Sequence, residues 1–483
     1  MSFEYEVVIG LETHVELLTE SKIFCACPNR FGEAPNTNVC PVCLGLPGSL
    51  PIFNENVLKL ALEAALALNC TIAHYSKFDR KNYFYPDLPK AYQISQHDRP
   101  LARDGYLELV KDGKLIRKVR IERLHLEEDA GKLMHDEAGE RSYVDYNRSG
   151  VPLIEIVTAP DIHSPEEAHL FLESLRKTLL YTGVSDCKME EGSLRCDANI
   201  SLRPAGTKSL GRKVEIKNMN SFRAVQRGLE YEVGRQKEIL KAGGTVALET
   251  RRWSEEDGAT IEMRSKEEDE HDYLFFPEPD LPPLILSEEF IGAVKSKLPE
   301  LPVDRYFRLM EEQGISPYQA EIITSSREMA DFFEETLKIF PQPQTVSNWL
   351  LGDVSGLLNS MGKEIDEVAF TPQHFAALLE LLAAGTLSGR LAKDVLEESF
   401  QSGRHPKEIV QKKGLVQISD EQELLRIVDE VIEDTPNAVN DYFAGNKKAV
   451  GFLMGQVMKR TKGQANPQLA TKLLQKKLKQ LEK

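Results

Sequence analysis

EYEVVIGLETHVEL, residues 4–17, separates into two chemically different faces when it is read as an extended strand. The odd positions Tyr5, Val7, Ile9, Leu11, Val15 and Leu17 are apolar, Thr13 excepted, whereas the even positions include Glu12, His14 and Glu16. Side chains alternate along a strand with a period of two, so one face is a core and the other carries two carboxylates and an imidazole. Taken alone, the stretch is more often a surface strand whose polar face is only solvated.

Other stretches repeat the arrangement. In LRCDANISL, residues 194–202, Leu194, Cys196, Ala198, Ile200 and Leu202 share one face, and Arg195, Asp197, Asn199 and Ser201 share the other. KVEIK, residues 213–217, sets Val214 and Ile216 against Lys213, Glu215 and Lys217. Glu155 is the one charge in the apolar run LIEIV, residues 153–157, where it has no solvated polar face to belong to. LHLEED, residues 124–129, adds His125, Glu127, Glu128 and Asp129, and because the strand ends there either Glu127 or Glu128 can point inward. Strands that each put acids and a few bases on one face predict a single, mainly antiparallel sheet with a charged concave surface. Clustered carboxylates repel one another unless a cation lies among them, so the expected occupant is a hard divalent ion, Mg²⁺ carrying substrate phosphates. No G-x-x-x-x-G-K-[ST] stretch occurs, which argues against a P-loop.

The chain has 483 residues, 41% of them hydrophobic, enough for about three domains with real cores. It has no apolar run of about 18 residues, and MSFEYEV at the start has neither a basic nor an apolar leader region. A cytoplasmic protein without a membrane span is expected. Seven cysteines, an odd number, argue against a disulfide framework. Cys25 and Cys27, then Cys40 and Cys43, form two close pairs across a loop rich in Pro, Gly and Asn. That spacing matches a tetrahedral structural zinc site, a knuckle that gives shape to a loop with little core. Cys70, Cys187 and Cys196 lie in apolar or strand surroundings and are expected in the core.

The rest of the chain alternates signals. NENVLKLALEAALAL, residues 54–68, reads as a helix, and SKFDRKNYFYPDLPKAYQISQ, residues 76–96, reads as a loop whose interleaved cations and aromatic rings suit a phosphorylated or planar ligand. Ser164-Pro165-Glu166-Glu167 caps and opens a helix to about Thr182. Prolines 277, 279, 282, 283 and 299 break regular structure, and everything after them reads helical. Helices are expected from Thr371 to Gly385, then to about Gly403, after a Ser419-x-x-Gln422 capping box, and after Asn466-Pro467. HPKEIVQKKGLVQISD, residues 405–420, reads as a linker. The formal charge of −16 is uneven: residues 446–483 hold ten Lys or Arg against Glu482 alone, a net +9, leaving −25 elsewhere. A basic module of this kind suits a phosphate backbone and sits apart from an acidic body.

VIGLETHVEL, CPVCLGLPGSLP, FDRKNYFYPDLPKAYQISQ, LHLEEDAGK, NRSGVPLIEIV, EEGSLRCDANIS, EIKNMNSF and KGQANPQL follow one another along nearly the whole chain. In this order they resemble the B subunit of the tRNA-dependent aspartyl/glutamyl amidotransferase. The resemblance implies an α+β protein. A cradle domain like that of glutamine synthetase and guanidino kinases would span residues 1–290, an all-α domain 291–407, and a small α-helical tail that binds tRNA 408–483. It implies an amidase-type A subunit and a small C subunit, forming a heterotrimer, with the A subunit releasing ammonia from glutamine. The B subunit would use ATP to phosphorylate Glu on mischarged tRNA(Gln) or Asp on mischarged tRNA(Asn), and then amidate it. On this reading Glu12, His14, Glu127, Glu128, Glu155, Asp197 and Glu215 are catalytic, with Glu12 and His14 holding Mg²⁺. Lys81, Arg195 and Lys217 clamp phosphate, and Cys25, Cys27, Cys40 and Cys43 hold structural zinc. The alternative is a tRNA-binding adaptor with a structural metal site, which would have no use for coherent polar strand faces. A ligase with its own ammonia source would need a glutaminase nucleophile, and no such arrangement is evident.

Overall fold

The opening stretch forms the strand Tyr5–Glu16 at the centre of a nine-stranded sheet. The strand order is 259–265, 249–254, 214–217, 194–204, 5–16, 152–158, 114–128, 102–111 and 71–72. All neighbours run antiparallel except 214–217 with 249–254. The computed structural model describes residues 5–136, 141–265, 273–415, 418, 420–446, 448–461 and 463–481. Glu4, Ser419, Lys447, Lys462, Glu482 and Lys483 lie outside the described residues.

The apolar face is as the alternation predicts. Ile9, Leu11 and Val15 are buried with Leu194, Cys196, Ala198, Ile200, Val214 and Ile216 from neighbouring strands. Helices Glu55–Ala67, Pro165–Thr182 and Phe222–Lys241 cover this face with Leu62, Phe171, Leu175, Leu179, Val225 and Leu229. Each such Leu, Ile or Phe side chain contributes about 1.5–3 kcal/mol by leaving water. The helix ends follow local chemistry. Ser164 Oγ accepts from Glu167 N at 3.1 Å, Pro165 starts the helix, and Gly183 ends it at φ +72.

A second, three-stranded sheet, 274–277, 79–82 and 92–95, stands opposite the polar face of the large one. It corrects two expectations. Residues 76–96 are not a loop: Asp79–Asn82 and Tyr92–Ser95 pair with each other, and Leu274–Pro277 joins them from about 190 residues away. The proline-rich stretch is correspondingly not devoid of regular structure, because Leu274–Pro277 and Leu284–Ile285 are short edge strands, where proline is tolerated.

The chain divides into two compact units, Met1–Arg305 and Tyr306–Lys483. The second is helical. Pro372–Ala383 and Gly389–Ser402 form as expected, capped by Thr371 and by Gly403 at φ +66. Residues 405–420 are not simply a linker: Pro406–Lys413 is a helix, capped by His405 and closed by Gly414 at φ +61, so the expected division between 407 and 408 falls inside it. Glu421–Asp434 is capped by Asp420, whose Oδ1 accepts from Gln422 N and Glu423 N, one residue beyond the expected Ser419. Its Leu424, Val428 and Val431 share a core with Leu453 and Val457 of Lys448–Arg460 and with Leu473, Leu474 and Leu478 of Pro467–Leu481. Among the described residues no helix is long and apolar enough to cross a membrane.

Candidate functional site

Strand register gathers the polar side chains into rows. One row crosses four strands as Arg195, His14, Glu155 and His125, and the next holds Asp197 and Glu12. Glu215 pairs with Asn199 one row further on. Glu127 is two residues along from His125, on the same face. Arg195, His14, Glu155, Asp197, Glu12, Glu215 and Glu127, with Lys81 from the small sheet and Tyr273 just before its strand 274–277, line a cavity of about 480 Å³ that also includes Asp129, Arg148 and Lys217.

At its floor His14 Nε2 lies 3.3 Å from Glu155 Oε2 and 3.5 Å from Glu127 Oε1, and the three groups can meet one ion. His125 Nε2 closes the cluster at 3.4 Å from Glu155 and 3.7 Å from Glu127. Burial alone would lower the pKa of His125, but the charges and hydrogen bonds of Glu155 and Glu127 outweigh it and raise it to about 9. The same competition raises His14, with Glu155 as the leading favourable partner. Burial opposes ionisation of Glu155, yet His125 and His14 hold its carboxyl well below the ordinary value. Two carboxylates and an imidazole around a common point fit a divalent ion with open positions for phosphate oxygens.

The cations are not equivalent. Arg195 Nη2 is 2.6 Å from Asp129 Oδ2, and Lys217 Nζ is 2.6 Å from Asp197 and 3.2 Å from Glu215. Burial works against charge on Lys217, but Asp197 and Glu215 raise its pKa. Lys81 has no carboxylate partner among the described residues; its ammonium lies 4.5 Å above the Tyr273 ring and 5.8 Å from the Tyr83 ring. Arg195 Nε, Asn199 Oδ1 and His125 Nδ1 are buried without a hydrogen-bond partner among the described residues. Arg195 lines the charged cavity, and an orphaned buried donor there fits a site built for a ligand.

Of the residues singled out in the sequence, Glu12, His14, Lys81, Glu127, Glu155, Arg195, Asp197, Glu215 and Lys217 share this cavity. Glu12 is outside the three-residue cluster, its Oε1 accepting from Asn199 Nδ2 at 2.7 Å. Glu128 is not brought in. It points to the other face, where it is ion-paired with Lys90 and accepts from Ile94 N at 2.8 Å. Sequence alone gives Arg148 and Tyr273 no role, and marks Asp129 and Tyr83 only as members of an acidic run and an aromatic stretch, yet all four line the site. Beside them Glu16 has its carboxyl raised to about 8 by burial and by the charge of Asp129.

The family model described as GatB/GatE catalytic domain matches residues 7–292, and the one described as GatB domain matches 331–478. The chain belongs to the GatB family. Among curated relatives, the B subunit of the aspartyl/glutamyl-tRNA(Asn/Gln) amidotransferase from Carboxydothermus hydrogenoformans is 56% identical over 481 residues, 99% of this chain and 100% of the relative. The B subunit from Thermoanaerobacter pseudethanolicus is 57% identical over 475 residues, covering 98% and 99%, and that from Brevibacillus brevis 53% over 478, covering 99% and 100%. The α+β architecture, a sheet region followed by helices, is that of this family.

The cysteine quartet is equally well formed. Cys25, Cys27, Cys40 and Cys43 bring their sulfurs within 4.8 Å of one another. Cys40 N donates to Cys43 Sγ at 3.2 Å, and a fully buried lysine, Lys22, has Nζ 3.7 Å from the same sulfur. The hydrogen bond from Cys25 lowers the Cys43 thiol to about 5, while that bond raises Cys25. Four sulfurs with hydrogen-bond donors around them are the donor set of a closed structural zinc site.

Proposed function

We propose that the cavity over strand Tyr5–Glu16 is where the chain activates a side-chain carboxylate with ATP and then amidates it. The acceptor is Glu on mischarged tRNA(Gln), Asp on mischarged tRNA(Asn), or both. The chain works as a GatB-family component of an ATP-dependent amidotransferase, a ligase of protein biosynthesis. Its ammonia comes from an amidase-type A subunit, and a small C subunit completes a cytoplasmic heterotrimer. The observation that carries this reading is the pairing of the His14, Glu127 and Glu155 cluster with Lys81, a cation not already committed to a described carboxylate.

A carboxylate resists ammonia because its leaving group would be oxide. Attack of its oxygen on the γ-phosphorus of ATP breaks the bond to ADP and leaves a mixed anhydride. Ammonia then adds to the carbonyl carbon, loses a proton, and expels phosphate. Phosphoryl transfer needs positioning and charge neutralisation more than covalent help. His14, Glu127 and Glu155, with Glu12 beside them, would hold Mg²⁺, which supplies that neutralisation. Lys81 binds phosphoryl oxygens from the facing sheet. Asp197 and Glu215 hold the Lys217 ammonium over the cavity, and Asp129 orients Arg195. Glu128 has no part in this scheme, since its carboxylate anchors Lys90 and the 92–95 strand.

Three parts divide this labour: the cradle, a helical domain, and a tail that begins after Gly414 and binds tRNA. Zinc on the cysteine quartet is structural. The test supplies the purified chain, with and without A and C subunits, with ATP, glutamine and Glu-tRNA(Gln) or Asp-tRNA(Asn). Amidated tRNA and ADP should form together, and only with a mischarged tRNA present. ADP formation independent of the aminoacyl group would overturn the reading.

A further inference from the structure

Lys22 is a buried ammonium whose ion-pair partner, among the described residues, is not a carboxylate. Its Nζ donates to the carbonyls of Asn38 at 2.8 Å and Tyr146 at 3.4 Å and faces Cys43 Sγ. A buried charge is costly unless it is compensated. Four thiolates around one divalent cation leave a net charge of −2, which is the compensation this lysine needs. Lys22 therefore fits the cysteines in their metal-bound form.

The same lysine joins two segments. Tyr146 belongs to the loop that follows strand Ser142–Asp145, and the knuckle is tied to this loop repeatedly. Asn36 N donates to Asp145 Oδ1 at 3.0 Å, and Asn36 Oδ1 accepts from Tyr146 N at 2.8 Å. Asn147 Oδ1 accepts from Asn38 N at 2.8 Å, and its Nδ2 donates to Ala34 O at 2.7 Å. Ser149 Oγ donates to Cys43 O at 3.2 Å, and Gly150, at φ +83, lies beside Cys43, where a Cβ would stand in ordinary contact 3.4 Å from Cys43 Cβ.

The residue in the middle of this loop is Arg148. Its Nε donates to Ala130 O at 3.0 Å and its Nη2 to Gly131 O at 2.9 Å, with Asp129 Oδ2 at 3.4 Å. Asp129 is the carboxylate that orients Arg195, and all three residues line the cavity. We propose that the cysteine knuckle is a strut that sets Arg148 against Asp129, with Lys22 as its charge anchor and Asn36 and Asn147 as its couplings to the loop. Arg148 and Asn147 are then positioning residues, and the zinc acts on the pocket through them while touching no substrate. The nucleotide-binding part of the test rests on the function proposed above; the strut itself does not.

The test uses the full-length chain. Asn147→Ala keeps every cysteine and Lys22, so its zinc content by elemental analysis should match the wild type. Hydrogen exchange should quicken by about tenfold at residues 144–150 and again at 129–131, roughly what loss of the two Asn147 side-chain hydrogen bonds allows in local opening. Magnesium with a non-hydrolysable ATP analogue should bind about tenfold more weakly, and Asn147→Ala should cost nothing further in an Arg148→Ala background. Lys22→Met should lower zinc content and quicken the same amides; if it fails to fold, Asn147→Ala carries the test alone. Unchanged exchange at 129–131, or losses that add in the double variant, would overturn the strut. If the wild type binds no nucleotide, the proposed function fails, and the exchange result still decides the strut.

Discussion

Lys81 and Glu155 stand at opposite ends of what single residues reveal. Glu155 is legible because a lone charge inside LIEIV has nowhere solvated to go, and the structure puts it between His14 and His125. Glu127 and Glu128 could not be told apart, because the direction of a side chain at a strand end depends on partners elsewhere. Here Lys90 and Ile94 N draw Glu128 to the other face. Asp129, Arg148 and Tyr273 sit at strand ends and in loops, where no alternation marks them. Lys81 was legible as a cation in an aromatic stretch and a candidate phosphate clamp; what the structure adds is that it lacks a carboxylate partner among the described residues. Lys81→Met keeps the stem against Tyr273 and removes the charge. It should lower kcat/KM for ATP by about 100-fold, as loss of one electrostatic stabiliser does. Thermal unfolding should shift by less than about 0.5 kcal/mol, as for a side chain outside the core. Steady-state kinetics beside a melting curve check both.

Elements were legible where local chemistry decides them. The Ser164-Pro165 start and Gly183 end of one helix, and the alternation of 194–202, are written in adjacent residues. The strands inside 76–96 were not, because Asp79–Asn82 is polar throughout, Tyr92–Ser95 is only four residues long, and the strand that completes the sheet, 274–277, is remote in sequence. Helix Pro406–Lys413 resembles a linker because it is short and polar, although Pro406 and Gly414 mark its ends. The cysteine knuckle is the element that spacing alone revealed, and the four sulfurs do converge. About one tightly held zinc per chain is expected, and its removal by a chelator should lower the melting temperature, since binding energy at a closed site is folding energy. Elemental analysis that finds no zinc in protein purified without chelator would contradict this.

Across the whole molecule the uneven charge is the feature that composition hides. In the tail, Arg460 is already paired with Glu430 and Asp434, and Lys477 with Asp429. Lys448, Lys459, Lys472, Lys476 and Lys479 have no ion pair with a described carboxylate, which leaves them for a phosphate backbone. Ending the chain after Gly414 should therefore weaken tRNA binding while the cradle stays folded, and the lost affinity should be the part that falls steeply with salt. Equal binding by the truncated and full chains, measured across a salt series, would remove the tail from the tRNA site. Whether the polar face of strand Tyr5–Glu16 activates a carboxylate is decided by an assay without ammonia. Glu-tRNA(Gln), ATP and the complete enzyme are mixed with hydroxylamine in place of glutamine, so that an activated side-chain carboxylate is trapped as its γ-hydroxamate; because hydroxylamine also cleaves the aminoacyl ester to an α-hydroxamate without ATP, only the γ-hydroxamate that requires ATP is counted. Glu12→Gln keeps the shape and the bond with Asn199 but removes one negative charge from the cavity wall. ATP-dependent γ-hydroxamate is expected from the wild type, at a rate about 100-fold lower from Glu12→Gln; trapping at the wild-type rate would show that this face takes no part in activation.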